Sequence, residues 1–150
     1  MHKIILLLTF AGFSYSSYCQ SAEDSVKKVV NKMFKAMKAG DGKMLQECFG
    51  DSALLQTVTT SADGKIIVRN QEVKSFIQQV SSLEEGSADE RIFFESIKID
   101  QGLANAWTPY RFYYKKNFIH CGVNSIQLVR IDGNWKIQYI IDTRRKDNCK

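Results

Sequence analysis

A chain of 150 residues with 44% hydrophobic and 25% charged side chains, one proline and a formal charge of +5 has the composition of a single folded domain. That length excludes a two-lobed enzyme with separate cofactor and substrate domains, and the one short apolar run excludes a multi-span membrane protein. The basic excess is dispersed, with knots only at Lys115-Lys116 and Arg144-Arg145-Lys146, so it predicts solvated faces and no nucleic-acid partner.

Met1-His2-Lys3 is a basic start, Ile4 to Phe13 is apolar except for Thr9 and Gly12, and a polar stretch from Ser14 to Gln20 follows. The run is too short to span a bilayer, and the three-part layout is that of a secretory signal peptide. Ser17 and Cys19 supply the small residues before a cleavage site, which assigns residues 1–19 to the signal and 20–150 to the mature domain. The expectation is an exported, periplasmic or secreted protein with no integral membrane segment after cleavage. Two other readings are a buried first element and an acylated Cys19, the latter opposed by the bulky Tyr18 where lipoprotein signals hold Gly, Ala or Ser. Lys3 is the only Lys, Arg, Asp or Glu removed, so the mature charge falls from +5 to +4.

Residues 24–39 place Val26, Val29, Val30, Met33, Phe34 and Met37 on one helical face, with Ser21 or Ser25 as cap and Gly40 as stop. Asp41 then caps a short second helix bearing Met44, Leu45, Cys48 and Phe49, closed by Gly50. Ala53 to Thr59 and Lys65 to Arg69 read as short strands around Asp63-Gly64. Residues 71–83 return to helical spacing, and 81–89 read as a loop. From Arg91 the period is two. Arg91–Asp100, Leu103–Lys115, Phe118–Ile131 and Asn134–Arg144 are four long strands, the last pair joined by the hairpin dipeptide Asp132-Gly133. Helices at one end and strands at the other make an α+β domain, whose curved sheet leaves a ligand-sized mouth against the helices.

Three segments carry a resemblance: Ala106-Trp107-Thr108-Pro109-Tyr110, His120-Cys121-Gly122-Val123-Asn124, and Asn134-Trp135-Lys136-Ile137 with Asp142-Thr143-Arg144-Arg145. With the element order, they resemble the nuclear transport factor 2-like superfamily, which includes ketosteroid isomerase, scytalone dehydratase and the SnoaL-like cyclases. Nearest are small exported bacterial proteins grouped as SnoaL-like or lumazine-binding. The resemblance implies a cone-shaped fold, three N-terminal helices packed on a curved antiparallel sheet of four long strands, and a homodimer formed through the sheet.

A two-residue turn at Asp132-Gly133 sets Arg130 opposite Trp135, Leu128 opposite Ile137, Ile126 opposite Tyr139, Asn124 opposite Ile141 and His120 opposite Arg145. One face then carries Leu128, Ile126, Ile137, Tyr139 and Ile141, followed by Gly122, Asn124, His120 and Thr143. The other carries Cys121, Lys136, Gln138, Asp142 and Arg144. A two-residue turn at Gln101-Gly102 places Tyr110 and Phe112 inward, near Asn124. His120 reads as a hydrogen-bonded core histidine, as a pocket donor or catalytic base with Asn124, or, in a slipped register, as an outward residue. Tyr110, Phe112, His120, Asn124 and Tyr139 are the candidate ligand wall.

Ketosteroid isomerase chemistry needs pocket carboxylates. Here Asn124 cannot titrate, Asp142 falls outward, and Glu95 reads either as an inward residue, grouped by alternation with Phe93, Ile97 and Ile99, or, preferably, as an edge residue paired with a basic side chain. Mature Cys48, Cys121 and Cys149 have no zinc spacing and His120 is the only mature histidine, so no metal and no cofactor are expected. A Cys121–Cys149 disulfide is preferred, against free thiols or pairing with Cys48. Three functions follow: binding a small organic ligand of unknown identity, acid–base catalysis of isomerase, dehydratase or hydrolase type by His120, or a dimeric interaction module without ligand.

Overall fold

The computed structural model describes residues 21–150. The signal peptide read over residues 1–19 lies outside them. Helix α1 (Ala22–Ala39) is capped by Ser21, whose hydroxyl accepts from the Asp24 N–H, and ends where Gly40 enters the left-handed region at φ 66°. The apolar stripe of α1 is the buried one, with Val26, Val30, Met33, Phe34 and Met37 all in the core. Asp41 caps α2 (Gly42–Gln46), its side chain accepting from the Met44 N–H. This helix is shorter than its apolar spacing suggests, because Phe49 leaves it to open strand β1 (Phe49–Thr60).

Strand β2 (Ile66–Glu72) pairs with β1, and α3 (Val73–Ser81) follows directly. The remaining strands are β3 (Ala88–Ile92), β4 (Ser96–Asp100), β5 (Leu103–Tyr114), β6 (Asn117–Ile131) and β7 (Asn134–Thr143). The sheet therefore has seven strands where four long ones were expected, in the order β2-β1-β7-β6-β5-β3, with β4 also on β5. One pairing, β1 with β7, is parallel, so the sheet is mixed where an antiparallel one was expected.

Three departures from simple alternation decide which residues face inward. The expected strand 91–100 is two strands, because Phe93, Phe94 and Glu95 stand opposite only Thr108 and Pro109, between the Ile92–Tyr110 and Ser96–Trp107 pairs. Pro109 has no N–H for the ladder, and the extra residue is accommodated there. On β7, Ile137 still opposes Leu128, but Tyr139 opposes Gln127, so Gln138 is a bulge and every later side chain changes face. On β6, Ile119 is a second bulge between the Phe112–His120 and Tyr113–Phe118 pairs. The β5–β6 turn is Lys115-Lys116, with φ 47° and 68°, a two-residue hairpin without the usual glycine or asparagine.

The core sits between α1 and the sheet, where Val26, Val30 and Met33 share one cluster with Ala104, Ala106, Ile126, Leu128 and Ile137. Each large aliphatic side chain buried there is worth about 1.5–3 kcal/mol. Towards the C-terminal end of α1 the packing opens, and α3 and β3 form the other walls of a cavity.

Candidate functional site

The cavity has a volume of about 330 Å³. Its apolar side is built by Met33, Phe34 and Met37 of α1, Leu55 of β1, and Phe76 and Val80 of α3. Its polar side collects Thr57, Glu90, Tyr110, His120, Asn124, Asp142 and Arg144 from β1, β3, β5, β6 and the end of β7. An apolar enclosure with a few convergent polar groups is the usual form of a small-molecule site.

Tyr110, only 3% exposed, is the centre of the polar side. Its hydroxyl donates to the Thr143 carbonyl at 2.9 Å and lies 3.2 Å from Asp142 Oδ2 and 3.1 Å from His120 Nδ1. Gly122 makes this approach possible. It stands opposite Tyr110, and a Cβ there would overlap the Thr143 carbonyl oxygen and touch the tyrosine ring. Asp142, 8% exposed, is fully committed. Its Oδ1 accepts from Thr57 Oγ1 at 2.5 Å and its Oδ2 from Arg144 Nε at 2.8 Å, while Arg144 Nη2 donates to Thr57 Oγ1 at 3.1 Å. This closed triangle neutralises the Asp142 charge inside the fold.

Glu90 is differently placed. It opposes Phe112 on β5 and accepts from Asn124 Nδ2 at 2.9 Å. Among the described residues no lysine, arginine or histidine forms an ion pair with it. Burial pushes its carboxyl up to about 7, against the Asn124 hydrogen bond, and the Asp142 charge adds to the rise while Arg144 opposes it. His120 stacks on Phe112, ring centroids 5.2 Å apart, and meets Tyr110 edge-on. Burial and then the Arg144 charge hold its pKa below the ordinary value. Burial, with Asp142 and Glu90, raises that of Tyr110.

The structure brings Tyr110, Phe112, His120 and Asn124 to one cavity wall. It does not bring Tyr139 there. The Gln138 bulge turns Tyr139 to the other side of β7, where its hydroxyl donates to Gln56 Oε1 at 2.5 Å. The same bulge brings Asp142 and Arg144 inward, reversing their expected face, and sends Ile141 and Thr143 outward in their place. Glu90 lay at the junction between an expected loop and an expected strand. The alternation of Ala88, Glu90 and Ile92, beginning at a buried alanine, is the one signal that marks it. Nothing in the sequence marks the Gln138 bulge, so Asp142 had no such signal. Glu95 pairs with Lys150 at 2.9 Å, at the sheet edge.

On the opposite face Cys121 and Cys149 are joined, their Cα atoms 5.7 Å apart, and Cys48 is a buried free thiol. The bond holds the segment after β7 back on the sheet, where Arg111 Nε donates to the Lys150 carbonyl at 3.0 Å.

No protein-family model and no curated protein matches the sequence. Solved structures do match the fold. A nuclear transport factor 2-like protein of unknown function from Shewanella baltica is 14% identical, with 89% of this chain and 100% of that chain covered at a TM-score of 0.66. Another from Shewanella oneidensis is 16% identical, covering 82% and 99%, at 0.64. A third, from Methylobacillus flagellatus, is 20% identical, covering 83% and 94%, at 0.61. The chain therefore has the nuclear transport factor 2-like fold. The comparisons do not narrow it to the SnoaL-like or lumazine-binding group.

Proposed function

We propose that this protein binds a compact organic molecule, with an apolar or aromatic body, in the cavity between the helices and the sheet. The observation that carries this reading is the cavity itself: about 330 Å³, apolar on the α1 and α3 side and polar where β3, β5, β6 and β7 converge. Tyr110, Phe112, His120 and Asn124 line it as the ligand wall, and Glu90 joins them. The test is a native mass spectrum of the protein purified from an exporting host. A co-purifying small molecule, lost when Ala88 at the cavity wall is enlarged in Ala88→Trp, is the expected result. A ligand retained by that variant contradicts the reading.

A second reading, acid–base catalysis on the same ligand, is favoured by one observation. Glu90, raised to about 7, is the cavity group suited to exchange protons near neutrality. Its role would be base or acid, with neutral His120 and Tyr110 as hydrogen-bonding neighbours.

Export and pairing complete the proposal. The three-part amino terminus supports export, and so does the Cys121–Cys149 bond, a kind of link that persists in oxidising compartments. A homodimer through the sheet face opposite the cavity is supported by Leu54, Val68, Leu103 and Trp107, all exposed there, Trp107 by 42%. Sedimentation at micromolar concentration tests it: the proposal predicts a dimer that Trp107→Glu dissociates.

A further inference from the structure

The charges around the cavity restrict the kind of ligand it takes, given that it is a ligand site. Asp142 and Arg144 cancel one another, and the Arg144 guanidinium is further occupied by Thr57. Glu90 is left over. Its one polar partner among the described residues is the neutral amide of Asn124. Lys38 and Arg91, the cations beside the preceding residue, are both drawn to Asp89, at 3.0 and 2.9 Å. Among the described residues, the cavity thus contains a carboxyl group with no ion-pair partner, and its one lining Lys or Arg side chain, Arg144, is held by Asp142 and Thr57.

We infer that the cavity takes an organic cation, its protonated nitrogen on the Glu90 carboxylate and its apolar or aromatic body against Met33, Met37 and Phe112. The nitrogen would donate to Glu90 as the partner the fold omits, a charge-assisted hydrogen bond in a partly enclosed site. Methionine sulfur and the face of an aromatic ring are polarisable or electron-rich surfaces, which suit a cation and its adjoining carbons. An anionic ligand would meet two carboxyl groups with only one, already occupied, guanidinium between them. It is disfavoured by the same count.

The reading has a pH signature. The groups that act on Glu90 electrostatically are Asp142 and Arg144, with Asn124 through its hydrogen bond. His120 and Tyr110 share the cavity but stay neutral near pH 7, and α1, α3 and β2 present no charged side chain to it. Raising the pH through the Glu90 range therefore creates the carboxylate that the cation needs. Ligand affinity rises in that interval as long as the ligand nitrogen remains protonated.

Calorimetric titration with three probes of one shape tests this: 2-naphthylmethylammonium, 2-naphthylmethanol and 2-naphthoate, each at pH about 6 and about 8. The ammonium probe is expected to bind about tenfold more tightly than the alcohol at the higher pH, the range of a charge-assisted bond, with naphthoate weakest. Its advantage should shrink at the lower pH and disappear in Glu90→Gln, which keeps the carbonyl acceptor and the shape. Alcohol or naphthoate binding as well as the amine, or an amine preference unchanged by both pH and Glu90→Gln, overturns the cation assignment and leaves the cavity a ligand site. Should Glu90→Gln fail to fold, the wild-type pH series alone decides. Failure of all three probes to bind folded wild-type protein overturns the binding function as well.

Discussion

Asn124 reaches across β5 to Glu90, its amide 2.9 Å from the carboxylate, so the two strands that flank β5 are joined to one another by side chains. This single neutral bond is what the fold gives a half-buried acid. Burial raises the pKa of Glu90 and this bond only partly opposes the rise, while the second carboxylate oxygen is left available to a ligand.

Stability should carry the Glu90 signature. The folded chain holds the proton up to about 7, whereas an ordinary glutamate loses it near 4.5. The stabilising contribution of the neutral form is complete below pH 4.5 and is lost as pH rises to about 7. Thermal melts across that interval should show Glu90→Gln gaining on wild type as pH rises. Parallel curves would contradict the assignment.

His120 should be neutral at pH 7 with its proton on Nδ1. Tyr110 has one hydroxyl proton, and it points to the Thr143 carbonyl or to Asp142, so the 3.1 Å contact with His120 Nδ1 needs the imidazole as donor. Nitrogen chemical shifts should report the Nδ1–H tautomer and a pKa below 6.5, the ordinary value. An Nε2–H tautomer contradicts this geometry.

Asp142→Asn should destabilise the domain without emptying it. The variant removes the charge that holds Arg144 and leaves Thr57 and Tyr110 with a weaker acceptor. Arg144 keeps access to water, its side chain being 46% exposed, so the loss should be about 1–2 kcal/mol rather than that of a fully buried pair. Urea denaturation measures it, and a gain in stability would show that the Asp142 cluster is not a stabilising one.

Replacing Cys121 and Cys149 by serine should have a larger effect. Their bond closes a loop with a sequence separation of 28, which in the chain-entropy account is worth about 3–4 kcal/mol. Chemical denaturation of the double variant should show that loss, and an equal loss on adding a reductant to wild type. No change on reduction would mean that the thiols are not paired in solution.

The helices, the order of elements and the Asp132-Gly133 hairpin were legible in the sequence, because caps, periodicity and a two-residue turn are local signals. The inward set of β5 and that of β6 from His120 to Leu128 followed from alternation alone. The site was only half legible. One uncounted residue, Gln138, exchanged Asp142 and Arg144 for Tyr139 and Thr143, since a bulge of one residue reverses every side chain beyond it. No residue type at Gln138 announces the bulge. It arises where β7 meets β1, whose pairing itself jumps between Phe49 and Leu54. Glu90 was missed for a different reason: β3 is only five residues long, too short for its alternation to stand out beside the adjoining loop.

The most direct test of the central claim, that the cavity is the ligand site, is an amide chemical-shift titration of the isotope-labelled protein with the naphthyl ammonium probe. The account predicts saturable shifts at Ala88, Glu90, Phe112 and Asn124, with the amides of Leu103 and Trp107 on the opposite face unmoved. Shifts confined to that opposite face, or none at saturating probe, would contradict it.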